Sequence, residues 1–182
     1  MSASNPEKPL PKGGLVRITR EAAARGQLEG AILLWFLQED FASVHTLIVA
    51  AQTLLHHIGA KAGKPSKTVT WLKSQPASFQ KRALGAQNFF KHANRDPDRV
   101  LIYAPMIAEI YIIDAIYMFE DLYHVMTPLM RTFALRFSLS HPNVLELSSL
   151  PVKFPASVKI NQIAQLSRTE FFDALMLAMS SN

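Results

Sequence analysis

The chain has 182 residues, 49% hydrophobic and 18% charged, and contains no cysteine. That is the composition of one globular domain able to bury a sizeable core, and it excludes disulfides, thiolate metal sites and cysteine nucleophiles. The formal charge of +5 permits attraction to nucleic acid, but Arg17, Arg20, Arg25, Lys61, Lys64, Lys67 and Lys73 are spread along the chain, whereas dedicated nucleic-acid binders concentrate their cations on one face.

Residues 1–14 hold three prolines and two glycines. They lack an apolar stretch behind a basic start, so they read as a flexible tail rather than a secretory signal, and a cytoplasmic setting is expected. Thr19 offers a cap for a first helix, with Glu21 in the turn where the helix dipole favours an anion. That helix runs to Gln38 and turns Ala22, Leu28, Ile32, Trp35 and Phe36 inward. Glu39-Asp40 breaks it, and Ser43 is the expected cap of the next. Val44, Leu47, Ile48, Ala51, Leu55 and Ile58 then recur at the three- and four-residue steps of a core stripe.

Gly59 to Ser78 reads as a linker with a short docked segment at Trp71-Leu72. A third helix is expected from Phe79 to Arg95, ending where Pro97 pushes Asp96 out of helical geometry. Pro105 starts a fourth, reaching Tyr123, whose nearly unbroken apolar surface marks it as the most buried element. Glu109 and Asp114 interrupt the apolar run Val100–Phe119; charges mid-span cost ~2.5–3.5 kcal/mol each in a membrane, so this is a core helix and no membrane association is expected. Thr127-Pro128 opens a fifth helix through Phe137, closed by His141-Pro142. Asn143 to Ser157 reads as extended, and Ser167-x-x-Glu170 forms a capping box for a last helix carrying Phe171, Phe172, Met176 and Met179.

The expected architecture is all-α: an antiparallel bundle of four to five helices with a less regular C-terminal extension. The bundle spans residues 15–140, and 141–182 supply an extended segment plus a helix packed on the bundle or on a partner. The apolar residues of that last helix call for cover, and a homodimer would provide it.

No Gly-rich phosphate loop, dinucleotide fingerprint, nucleophile elbow or His-Glu-x-x-His motif occurs, so no cofactor is expected. The densest polar cluster is Asn88-Phe-Phe-Lys-His-Ala-Asn-Arg-Asp-Pro-Asp98. On a helical wheel Phe79, Ala86, Phe90 and Ala93 face the core, while Asn88, Lys91 and Arg95 fall opposite with His92 at the edge. Asn88, His92 and Arg95 thus form a stripe suited to a phosphate or another anion, with Lys91 and Asp96 beside it. The same cations also suit the negative end of the helix dipole without any ligand.

His45 borders the core stripe of the second helix, with Gln52 and His56 on the same edge. Asp114 lies in the most apolar segment, where a carboxylate needs a partner; His45, Arg82 or His92 are the candidates. A metal held by His45, His92, Asp96 and Asp114 is chemically conceivable, but the histidines lack ligand spacing, so none is expected.

Residues Ala31–Phe36, Ser43–Ala51, Asn88–Asp98 and Ile113–Ala115 together resemble an uncharacterised family of bacterial helical proteins. The likeness runs from about Ile18 to Phe137, carried mainly by the Phe-Lys-His-Ala-x-Arg-Asp-Pro segment. It implies a bacterial helical fold without naming an activity. A weaker resemblance is to the HEPN superfamily of helical bundles, which includes dimeric metal-independent ribonucleases. Asn88-x-x-x-His92 matches part of their motif, although Arg95 follows the histidine instead of preceding it. The residues themselves favour a binding or interaction module whose Asn88–Arg95 surface takes RNA or another anionic ligand. The HEPN resemblance implies the alternative, RNA cleavage with His92 as acid/base and Arg95 stabilising phosphate charge.

Overall fold

The computed structural model describes residues 16–37, 40–91, 98–146 and 160–180. Among these the chain is all-helical without a strand, in eight helices of seven residues or more and one four-residue turn. The helix count exceeds the four to five expected. α3 (Lys67–Ser74) occupies the expected linker, and the expected third helix divides at Leu84 into α4 (Ala77–Ala83) and α5 (Gly85–Lys91). The division falls beside Gly85, the residue type after proline that least favours a helix interior.

α1 (Arg20–Leu37) begins where Thr19 Oγ1 accepts the Ala22 N–H at 3.0 Å. Its inner face is Ala24, Leu28, Ala31, Ile32, Trp35 and Phe36; Ala22 is exposed, correcting the expected start of the stripe by two residues. α2 (Phe41–Lys61) is capped by Asp40, whose Oδ1 accepts the Ser43 N–H at 3.2 Å. Ser43 is therefore the capped residue and not the cap. α2 buries Val44, Ile48, Ala51 and Leu55 as its spacing predicts, and buries His45 with them.

The turn after α2 depends on two glycines. Gly63 adopts φ +72°, in the left-handed region that favours glycine. The Lys64 N–H returns to the Gly59 carbonyl at 2.8 Å, so close that a Cβ at Gly59 would overlap the Lys64 carbonyl oxygen. This reversal delivers Ser66 to the first turn of α3, where its Oγ accepts the Val69 N–H at 3.0 Å.

α6 (Met106–Tyr123) ends on His124, left-handed at φ 55°. α7 (Pro128–Ser140) has Pro128 in its first turn and Thr127 as its cap. Eight of the eighteen residues of α6 are buried, against eight of the thirteen of α7. α7 is thus the more enclosed helix, because α1, α6 and α9 (Arg168–Ser180) all pack against it while part of α6 faces a cavity.

The core draws on α1, α2, α6, α7 and α9, with Met126 from the connection between α6 and α7. α3, α4 and α5 lie outside it. The capping box forms as read: the Ser167 N–H donates to Glu170 at 3.0 Å and the Glu170 N–H to Ser167 Oγ at 3.3 Å. α9 then folds back on its own chain. Phe171 is fully buried and stacks on Phe36 with ring centres 6.3 Å apart. Phe172 also meets Phe36, at 5.2 Å, so these rings are covered within the chain and no longer argue for a dimer. α8 (Ile160–Ile163) is the single turn before it. Most of the expected extended stretch 143–157 lies outside the described residues.

Among the described residues α2 is long and apolar enough to cross a membrane by length and composition alone. It packs along α1 and α6 and carries buried His45.

Candidate ligand-binding site

Asp114 sits on the inward side of α6 with 8% of its surface exposed. Of the expected cations only His45 has a described side chain, and the described partners of the carboxylate are neutral. Gln52 Nε2 donates to Oδ2 at 2.8 Å, and Ser66 Oγ lies 3.3 Å from both carboxylate oxygens. The Thr68 hydroxyl and backbone N–H complete the set. Burial pushes the Asp114 carboxyl above its ordinary value, while the Thr68, Gln52 and Ser66 hydrogen bonds pull it back only in part. The carboxylate thus accepts from the N-terminal turn of α3, where orphan N–H groups favour negative charge.

His45, expected beside Asp114, is turned elsewhere. It is 1% exposed, its Nδ1 shares a 3.0 Å hydrogen bond with the Tyr103 hydroxyl, and its ring lies 5.4–5.7 Å from those of Phe90, Tyr103 and Tyr111. Burial is also the main cause raising the Tyr103 and Tyr111 hydroxyls. His45 borders a cavity of about 390 Å³ with Gln27, Thr46, Val49, Gln87 and Phe90, and no carboxylate lines it among the described residues.

Of the expected anion-binding stripe, Asn88 is an exposed residue of α5. Lys91 ends that helix, and its side chain, together with His92, Arg95 and Asp96, lies outside the described residues. Arg82 contributes a described backbone only. No group of three or more His, Asp or Glu able to hold a metal occurs among the described residues.

Asp114 instead lines a cavity of about 440 Å³ between the α2–α3 turn, α6 and α7. The α6 wall repeats at helical spacing: Ile110, Ile113, Asp114, Tyr117, Asp121 and Leu122. Phe137 closes it from α7 and Val144 from the following turn, with Lys64 and Ser66 opposite. Lys64 Nζ donates to the Asp121 carbonyl at 2.5 Å, tying the α2–α3 turn to the last turns of α6. Its described walls are therefore mostly apolar, with the buried Asp114 carboxylate, the exposed Asp121 and the Lys64 ammonium among them, a composition typical of small-molecule sites.

Ser66, Thr68, Lys64 and Tyr117 were not singled out in the sequence. The signal for the first two was a cap: Ser66 stands three residues before Val69, with Leu72 one turn further on. No family model, curated protein or solved structure matches this chain.

Proposed function

We propose that the chain is a binding module whose ligand occupies the cavity around Asp114, Tyr117 and Phe137. The frame is read as an antiparallel bundle of α1, α2, α6 and α7, completed by α9. The carrying observation is the coincidence of a preformed apolar space of about 440 Å³ with a carboxylate that is 8% exposed and lines that space. A mostly apolar pocket with few convergent polar groups, one of them perturbed by burial, is the arrangement small molecules use. The binding class is the one the sequence favoured, with the site shifted from the Asn88–Arg95 surface to the interior.

Val144 provides the test, because it lines the cavity yet is 59% exposed. A tryptophan there should fill the mouth without disturbing the core. Ligand-observed NMR against a chemically diverse fragment set should find saturable one-to-one binders of the wild type that Val144→Trp no longer binds. An absence of binders, or binders indifferent to the substitution, would overturn the reading.

A further inference from the structure

Resting on that cavity as the binding site, we propose that its ligand is a primary amine carried on an apolar body, with the protonated nitrogen paired to Asp114. Three observations converge. First, every described partner of the Asp114 carboxylate is neutral: Gln52, Ser66 and Thr68. A carboxylate so enclosed carries a desolvation cost that neutral donors offset only in part, and a cation would complete the compensation.

Second, the described lysine of the cavity wall is committed. Lys64 lines the cavity, but its Nζ is held on the Asp121 carbonyl at 2.5 Å, where the C-terminal end of the α6 dipole also favours it. The Ser66 contacts, both at 3.3 Å, are long for a hydroxyl donating to a carboxylate, and are the ones a stronger, charged donor would displace. An incoming ammonium brings three.

Third, the surroundings suit an aminium with an apolar tail. Tyr117 stands one helical turn beyond Asp114 and lines the same cavity, as does Phe137 across it, and aromatic faces attract cations. Ile110, Ile113, Met118 and Leu122 supply the apolar wall. Among the described residues an anionic ligand would face two aspartates, Asp114 and Asp121, and one lysine, Lys64.

The experiment compares three probes of one shape: 2-phenylethylamine, 2-phenylethanol and 3-phenylpropionate, titrated calorimetrically at pH 7 into the full chain and into Asp114→Asn and Val144→Trp. The amine should bind the wild type at least tenfold more tightly than the alcohol, with the acid weakest. Asp114→Asn should erase that preference while leaving the alcohol within threefold of its wild-type affinity. Val144→Trp should abolish all binding. Equal binding of amine and alcohol by the wild type, stronger binding of the acid, or an amine preference that survives Asp114→Asn overturns the amine assignment and leaves the cavity reading standing. Failure of all three probes on the wild type overturns both. The wild-type comparison decides the matter even if Asp114→Asn folds poorly.

Discussion

Ser66 and Asp114 are 48 residues apart in the chain, yet one hydroxyl joins them: Ser66 Oγ accepts the Val69 N–H that starts α3 and lies 3.3 Å from both oxygens of the α6 carboxylate. The cap of one helix is thereby part of the polar shell of a buried acid in another. Ser66→Ala should cost roughly 2 kcal/mol, about half from the lost cap and half from the lost donor. Ser66→Asp, a comparable cap on an isolated helix, should be worse than alanine at pH 7 because it sets a second carboxylate against Asp114. Denaturant melts of both variants check this, and an aspartate variant as stable as wild type would dissolve the link.

Asp114 also sets a pH dependence whose sign is fixed by its raised carboxyl. The folded state holds the proton more tightly than the unfolded chain, with its ordinary value of 3.8. The group's stabilising contribution is complete below that ordinary value and lost as pH rises through the higher folded one. The stability of wild type relative to Asp114→Asn should therefore fall with pH across this window and level off above it. A difference that rises with pH would contradict the burial argument. Asp114→Ala, which strands the Gln52, Ser66 and Thr68 donors, should be roughly 2–3 kcal/mol less stable than Asp114→Asn.

Two glycines should respond in opposite directions to the same substitution. Gly59→Ala forces a methyl into the Lys64 carbonyl and should destabilise by about 2–3 kcal/mol, opening the turn that places Ser66. Gly26 lies inside α1 with nothing within 4 Å of the added carbon, so Gly26→Ala should stabilise by roughly 0.5–1 kcal/mol. Paired thermal melts are sufficient, and a Gly59→Ala protein as stable as wild type would refute the close approach.

Phe171 tests how α9 is seated. It is fully buried against Phe36, so Phe171→Ala should cost about 3–5 kcal/mol. If its burial is within the chain, that loss is independent of protein concentration. A stability change that tracked concentration between micromolar and hundred-micromolar samples would instead place this ring at an interface between copies.

How far these features were legible depends on the range over which each is determined. The Ser167–Glu170 box is a four-residue pattern and reads directly from the chain. The core stripe of α2 reads equally well because its period repeats over most of the helix. At the start of α2 two capping residues compete, and Asp40 prevails over Ser43; residue type alone does not separate them. α3 escaped notice because its eight residues, Lys67–Ser74, sit among lysines, glycine and prolines that resemble a linker, and its apolar positions are few. The burial of Asp114 followed from its apolar neighbours. Its partners did not, since Gln52 and Ser66 are uncharged and lie 62 and 48 residues away, and nothing local in the chain marks a neutral group as the partner of an acid.

The end of α1 is completed from far along the chain. Arg168 Nη1 donates to the Trp35 carbonyl at 3.2 Å and Thr169 Oγ1 to the Phe36 carbonyl at 3.3 Å, each across 133 residues. α1 has no basic residue in its own last turn to serve those carbonyls. During biosynthesis the first helix therefore emerges long before the groups that seal it, and Phe36 waits uncovered for Phe171 over the same interval. Such distant closure slows the final consolidation of a fold. Until α9 is made, Phe36 lacks its contacts with Phe171 and Phe172, and apolar surface left open in this way favours association between nascent chains.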